Sequence, residues 1–318
     1  MASYKLVVIL SAQTLPVVLV AQLFQGVIQG IPHHNEHVHS AGTRPSPLNQ
    51  DNIAGRSATD STPQLKQIND SIYVLCNPPN PAIEVVFFHA INWRESKQPH
   101  VETWSDDTTG VFWPRDALSV QYPEARILLA WYDAGAGEIA DGGHKRLFEV
   151  AVNLRQDILP VLTGDCRLLL VGHGFGALVI KELVRLVQIQ RNLLGLQVGE
   201  SKVTDDLLKY CDTFLENVRG AFFFAPPSFG SSLVKATEFN VKGSLVKSLD
   251  SMDEHTAELN EWDEYTARLN EWFRKWRGVK GCKVTVIWAG LPTTIEFPTK
   301  VVCIPSNLFQ ATNSSIST

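Results

Sequence analysis

The segment 167–176 constrains the fold more than any other part of the chain. An apolar run at 168–171 leads directly into Gly-His-Gly-Phe-Gly at 172–176, and a helical pattern begins at Ala177. This order predicts a buried strand, a sharp glycine turn and a helix. We expect the two outer glycines to stand where a Cβ would collide with a neighbouring strand or helix. The crest of such a turn commonly displays a nucleophile, but here it is Gly174, so the pattern predicts the shape of a catalytic turn without its reactive side chain.

Seven continuous apolar runs are typical of strands that are buried on both faces. They lie at 71–76, 83–88, 126–132, 168–171, 220–225, 284–289 and 300–304. Helical patterns separate several of them, at 145–162, 177–192 and 240–277. This alternation predicts an α/β fold, a mostly parallel β-sheet flanked by helices. In the last helical pattern, an apolar seam favours a helix packed on the sheet over a partner-binding helix; the seam is Leu259, Trp262, Leu269, Phe273 and Trp276.

The chain divides into a hydrophobic N-terminal segment, 1–31, a flexible linker, 32–70, and a folded domain, 71–318. Residues 6–31 contain no charged side chain and are numerous enough to cross a bilayer. Pro16 and the glutamines at 22, 25 and 29 favour an amphipathic surface helix instead. Both alternatives stay open: a membrane anchor or targeting segment, with membrane association through 6–31, or a soluble helix.

The linker is rich in small and polar residues and carries His-His-Asn-Glu-His-Val-His at 33–39. A solvated polar tract is favoured over a metal site there, because nothing in such a segment fixes ligand geometry. We therefore predict no metal and no cofactor. A net charge of -5 gives no reason to expect a nucleic-acid partner. The five cysteines are odd in number and widely spaced, which indicates buried thiols in a reducing compartment rather than disulfides.

Several motifs, in this order along the chain, resemble those of the serine active-site-containing, lipase-like protein family, which has the α/β-hydrolase fold. They are Phe-Phe-His-Ala at 87–90 with Trp-Pro-Arg-Asp at 113–116, Pro-Glu-Ala-Arg-Ile at 123–127, Val-Gly-His-Gly-Phe-Gly-Ala-Leu-Val at 171–179, and Gly-Ala-Phe-Phe-Phe-Ala-Pro-Pro-Ser at 220–228. The resemblance covers roughly residues 70–304. It implies the fold, and it implies a degenerate site when the family's residues are transferred position by position.

The resemblance places the family's nucleophilic serine at Gly174. It places the oxyanion region at His89, Ala90 and Phe175, with His89 bracing the loop and Ala90 still able to present its N–H. His173 is expected to pack beside the turn as a hydrogen-bonded, half-buried residue. The family's Thr-Pro-His is replaced by Pro226-Pro227-Ser228, and the proline removes a backbone donor.

The catalytic histidine that the family carries near its C-terminus has no counterpart, since no histidine follows His255. The resemblance therefore implies a C-terminally shortened member in which the last strand and helix are missing. Glu296 falls where an acidic partner would stand, but an acid without a histidine to orient has no catalytic role.

These residues predict a protein that is not an enzyme and that binds a small acyl or lipid-like ligand or a protein partner. One alternative is an active esterase or lipase that uses Ser228, Ser231 or Ser232 after a strand end. Another alternative is a diverged or truncated product without a stable fold. By family resemblance the location is a membrane of the endoplasmic reticulum or the mitochondrion, and otherwise the cytoplasm.

Overall fold

The computed structural model describes residues 65–92, 96–106, 109–134, 143–164, 166–196, 201–226, 261–287, 293–297 and 300–304. The strands are β1 (Lys66–Gln67), β2 (Ile72–Cys76), β3 (Ile83–Phe88), β4 (Ala125–Ala130), β5 (Arg167–His173), β6 (Val218–Phe224), β7 (Lys283–Ile287), β8 (Thr293–Phe297) and β9 (Lys300–Ile304). The α-helices are α1 (Pro99–Glu102), α2 (Ser119–Gln121), α3 (Gly143–Ile158), α4 (Phe175–Leu194), α5 (Lys202–Asn217) and α6 (Glu261–Lys280). A π-helical turn at Pro114–Leu118 precedes α2, and a 3₁₀ turn at Leu159–Val161 follows α3.

The main sheet has seven strands in the order β1-β2-β4-β3-β5-β6-β7. Strands β4, β3, β5, β6 and β7 are parallel, and β2 is antiparallel to β4. The α/β fold with a mostly parallel sheet flanked by helices is thus confirmed. The expected runs match the observed strands to within about two residues at most ends. β2 and β3 are consecutive in the chain, yet β4 lies between them in the sheet.

Side chains of the sheet alternate between two apolar layers, because successive residues of a strand point to opposite faces. In β3, Val86 and Phe88 join the layer formed with the long helices, whereas Val85 and Phe87 join the layer on the opposite face. That second layer is closed by the segment between β3 and β4, with Trp104, Phe112, Leu118 and Tyr122. The sheet is therefore covered on both faces.

Three helices surround α4 on one face of the sheet, and α4 is consequently buried from Phe175 to Val184. The expected seam of α6 is confirmed within the described side chains, since Leu269, Phe273 and Trp276 belong to the same apolar layer. The first part of the predicted helix 240–277 lies outside the described residues. Buried thiols are found at Cys166, Cys211 and Cys282.

Three features differ from the sequence-based expectation. Lys66 and Gln67 pair with β2, so the sheet begins inside the segment interpreted as a linker. Helix α5 was not expected; Ser201 caps it by accepting a hydrogen bond from the Thr204 amide at 3.1 Å. Residues 300–304 form a strand, but β9 pairs with β8 in a separate antiparallel hairpin, because only two residues connect them.

A buried ion pair joins β3 to β4 at their amino-terminal ends. The Glu84 carboxylate contacts the Arg126 guanidinium, and their side chains are only 2% and 8% exposed. Arg126 Nη1 also donates to the Val161 carbonyl at 2.7 Å, and the Thr163 amide donates to Glu84 Oε2 at 3.0 Å. The pair thereby fastens the connection between α3 and β5 to the edge of the sheet opposite the glycine turn.

Replacement of Glu84 by Gln should lower the free energy of unfolding by roughly 3–5 kcal/mol, because it leaves the Arg126 charge buried without its counter-ion. Glu264→Gln breaks an exposed ion pair with Arg268 and serves as the control, with stability expected to stay unchanged. Urea unfolding measures both. Equal stabilities for the two variants would contradict the structural role of the buried pair.

Candidate functional site

The glycine turn connects β5 to α4, with Gly174 at its crest. Gly174 has φ +52° and ψ -119°, a conformation that residues with a side chain rarely adopt. Its amide donates to the Phe224 carbonyl at 2.8 Å, and its carbonyl accepts from the Ala177 amide at 3.1 Å. The crest is thus tied to the end of β6 on one side and to the first turn of α4 on the other.

The two outer glycines are required by close packing. A Cβ on Gly176 would lie 2.2 Å from the Phe88 carbonyl oxygen, and a Cβ on Gly172 would lie 2.7 Å from the Ala177 amide nitrogen. Real Cβ atoms do not approach backbone atoms this closely. The expectation that side chains at these positions would clash with the neighbouring strand and helix is confirmed.

The crest itself has room for a Cβ atom. A Cβ built on Gly174 would lie 3.5 Å from Ala90 Cβ and 3.9 Å from Ala90 Cα, which are ordinary van der Waals distances. Steric exclusion therefore does not explain the missing nucleophile. The position faces Ala90, the second residue after β3, so the ends of β3 and β5 meet there.

His89 holds the backbone at the end of β3. The ring is fully buried and stacks on Tyr132 with centroids 4.0 Å apart. Its Nδ1 lies 2.6 Å from the Ala90 carbonyl oxygen, and its Nε2 lies 3.1 Å from the Tyr132 carbonyl oxygen and 3.4 Å from the Tyr132 amide. A neutral ring protonated at Nδ1 donates to Ala90 and accepts from the Tyr132 amide, whereas one protonated at Nε2 donates to the Tyr132 carbonyl. Burial away from water lowers the pKa of His89 to about 4, so the ring is neutral near pH 7.

The amide of Ala90 is already engaged. It donates to Thr103 Oγ1 at 3.3 Å, which is long for an N–H···O hydrogen bond. The Ala90 amide, which the resemblance assigns to the oxyanion region, therefore donates to a side chain of the protein itself. Thr103 directly follows α1, and no sequence pattern around it predicts this contact.

His173 precedes the crest and packs against Trp104, with ring centroids 6.0 Å apart in an edge-to-face arrangement. Within the described part of the chain, neither His173 Nδ1 nor Trp104 Nε1 has a hydrogen-bond partner. The expected hydrogen-bonded role of His173 is thus not seen at Nδ1. Burial lowers the pKa of His173 to about 4, and its role is packing by a neutral ring.

Aromatic rings form a wall beside the crest. Trp104 lies edge-on to Phe87, Trp113 and Phe224, with centroids 5.1, 5.7 and 5.9 Å away. Such edge-to-face pairs stabilise a fixed arrangement of rings. The wall is apolar apart from the indole N–H groups, and it covers the face of the sheet opposite to α4.

A residue with a side chain and a positive φ stands next to the crest. Ala225 directly follows β6 and has φ +44°, and its amide donates to the Ile287 carbonyl at 2.8 Å. Pro226 comes next and is buried. Residues with such φ values cluster at functional sites in known proteins. Gly174 and Ala225 lie at the carboxyl ends of two adjacent strands.

Most of the other sequence-based expectations concern residues outside the described ranges. Ser228, Ser231 and Ser232 lie outside the described residues, as do the N-terminal segment 1–31, the histidine-rich tract 33–39 and the C-terminal residues 305–318. Glu296 belongs to β8, where its backbone pairs with Val301. Within the described ranges, no three His, Cys, Asp or Glu side chains are grouped to hold a metal ion. None of the helices found there is both long and apolar enough to cross a membrane.

Gly176→Ala should destabilise the fold by roughly 2–4 kcal/mol, since the added methyl group overlaps the Phe88 carbonyl and forces α4 away from β3. Gly278→Ala is the matched control: this helical glycine has nothing within 4 Å of its Cβ position, and the change should stabilise α6 by about 0.5–1 kcal/mol. Denaturant unfolding of the two variants gives opposite signs if the packing is as described. A neutral Gly176→Ala would refute it.

His89→Gln should flatten the dependence of stability on pH. The ring has a pKa of about 4 in the folded chain and of 6.5 when exposed, so the unfolded chain binds more protons between these values. Stability is therefore lost as the pH falls from 6.5 towards 4, by up to about 1.4 kcal/mol per pH unit for one group. The difference between wild type and variant isolates His89 from the other histidines. Parallel unfolding profiles at pH 7, 6, 5 and 4.5 would contradict a buried neutral ring.

Comparison with known proteins adds little. No family model matches the chain, and no curated protein sequence matches it. Two solved structures of the phospholipase PlaB from Legionella pneumophila, one of them in complex with thio-NAD, are similar at a TM-score of 0.38. They share 11% and 14% sequence identity over 65% and 64% of this chain, which correspond to 38% and 37% of the phospholipase chain. The chain thus spans less than two fifths of that protein's length.

Proposed function

We propose that this chain is a catalytically inactive, hydrolase-like protein that binds an acyl or lipid-like ligand at the glycine turn. The observation that carries the proposal is Gly174: the turn keeps a φ of +52°, which would be strained for a residue with a side chain, and has space for a Cβ atom, yet the crest has no atom that can attack a carbonyl. The backbone geometry is that of a turn that could display a nucleophile, but residue 174 has no nucleophilic side chain.

The position of the turn in the sheet supports ligand binding. From β3 the chain continues to β4 on one side, and β5 then begins on the other side of β3. In open α/β sheets, ligands bind at the carboxyl ends of the strands where the strand order reverses in this way. Gly174 follows β5 and Ala90 follows β3, so both residues stand at the reversal.

The chemistry at the reversal fits an acyl group. Helix α4 is 20 residues long and begins at the crest. The amides of its first turn have no i−4 carbonyl partner, and among them the Ala177 amide donates to the Gly174 carbonyl. A helix amino terminus favours a carboxylate or a polarised carbonyl oxygen. The aromatic wall around Trp104 is buried apart from Trp113, which is half-buried, so the sheet face beside the crest is apolar. A protein partner in place of a small ligand is an outcome that the experiment below distinguishes.

The histidines of the site support binding over turnover. Both ring nitrogens of His89 contact backbone groups. The next residue after His173 is Gly174, so the crest has no hydroxyl that His173 could activate. Loss of the nucleophile alone leaves only residual catalysis in a serine hydrolase. An active esterase would need one of the serines at 228, 231 or 232.

The full-length chain should bind octanoate and should fail to hydrolyse p-nitrophenyl octanoate above a heat-denatured control. Octylammonium, with the same hydrocarbon chain and the opposite charge, should bind much more weakly. Gly174→Leu fills the crest and should reduce octanoate affinity at least tenfold, as measured by calorimetry. Gly281→Leu is the matched control, because Gly281 also has a positive φ (+66°) with open space around it, but lies after α6.

Three results would contradict the proposal. Fluorophosphonate labelling of a serine that disappears on substitution to alanine would show an active enzyme. Absence of octanoate binding would remove the acyl-ligand function and leave a protein partner. A broad, non-cooperative thermal melt would indicate a product without a stable fold. Gly174→Ser should remain inactive, and recovered hydrolysis would show that a histidine reaches the crest.

A further inference from the structure

Thr103 places its side-chain hydroxyl against the backbone that faces the crest. Ala90 lies across from the crest, and its amide donates to Thr103 Oγ1 at 3.3 Å. Ala90 is half-buried, and its amide is more stable with an acceptor than without one. Thr103 supplies that acceptor from within the chain.

The backbone of Thr103 is fixed, whereas its hydroxyl can turn away. The Thr103 amide donates to the Pro99 carbonyl at 3.1 Å, and the next residue, Trp104, is held among aromatic rings. The side chain is only half-buried. Rotation about χ1 moves the hydroxyl between staggered positions without moving the helix end. At 3.3 Å the hydrogen bond is longer than usual, and it is consequently one that a better acceptor can replace.

We propose that Thr103 is an internal competitor that keeps the Ala90 amide occupied until an acyl oxygen displaces its hydroxyl. The inference rests on the proposed function, because it regulates the same site. It assigns to Thr103 a role in setting ligand affinity: the ligand-free form is stabilised by the Thr103 contact, and the bound form exchanges that contact for one to the ligand. Removing the hydroxyl therefore favours the bound form.

The test compares full-length wild type with Thr103→Ala, and with Thr103→Ser as the conservative control. Octanoate should bind Thr103→Ala about three- to tenfold more tightly, which is the range expected when one competing hydrogen bond is removed. Thr103→Ser keeps the hydroxyl and should bind like wild type. Thermal unfolding of the three proteins checks that each remains folded.

A direct readout of the Ala90 amide makes the test independent of affinity. The chain contains a single His-Ala pair, at 89–90, so carbonyl-¹³C histidine and ¹⁵N-alanine labelling isolates one amide signal. That signal should shift and exchange faster with solvent in ligand-free Thr103→Ala, and not in Thr103→Ser. Octanoate should restore protection in Thr103→Ala.

The outcomes separate the two proposals. If octanoate binds wild type and Thr103→Ala equally, or if the Ala90 signal is unaffected by Thr103→Ala, the competitor role is overturned while ligand binding stands. If the Ala90 signal responds to Thr103→Ala but neither protein binds octanoate, the acyl-binding function fails and the competitor role fails with it.

Discussion

The absence of a side chain at Gly176 lets α4 start directly against the end of β3. The Phe88 carbonyl occupies the space that a Cβ would need, and Gly172 allows the same closeness between β5 and the first turns of α4. Because β3 and β5 are the strands at which the sheet order reverses, this contact also determines where the crest of the turn lies. The site beside Ala90 is thus a consequence of helix-to-sheet packing, and the packing would persist whatever residue stood at the crest.

The groups around the crest are neutral and largely dehydrated. Burial lowers the pKa of His89, His100 and His173 to about 4 in each case, so none of these rings carries a charge near pH 7. The buried Glu84–Arg126 pair lies at the opposite edge of the sheet. A ligand oxygen at the crest would therefore meet backbone amides and the end of a helix dipole, not a formal charge. This environment suits a carbonyl or a carboxylate that is held by hydrogen bonds.

The sequence predicted the central part of the fold because long apolar runs and the glycine turn are local signals. The bounds of β3 were predicted without error, and the seam at Leu269, Phe273 and Trp276 does face the sheet. Helix α5 was missed although Ser201 and the spacing of Leu208, Cys211 and Leu215 are compatible with a capped helix. Strand β9 was recognised, but its pairing with β8 depends on a contact that periodicity does not encode.

The site was predictable only where its parts are adjacent in sequence. The turn motif alone predicts that a Cβ atom on either outer glycine would overlap the neighbouring backbone. The engagement of the Ala90 amide by Thr103 joins residues 13 positions apart through the fold of an irregular segment, and no local pattern indicates it. The packing of His173 against Trp104 likewise joins residues from separate parts of the chain.

The three glycines of the turn are under different steric constraints. Gly172 and Gly176 cannot change without displacing the helix, so their presence says nothing about catalysis. Gly174 is under no such steric demand, since a Cβ there would make ordinary contacts with Ala90. A residue with a side chain at this φ of +52° would raise the free energy of the folded state by roughly 1–2 kcal/mol. A nucleophilic residue at the crest would carry this strain. Glycine at the crest removes that strain, while the end of β3, the start of α4 and the aromatic rings around Trp104 keep their packing. A turn of this kind is less strained than one that carries a side chain, which is consistent with the binding function that we propose.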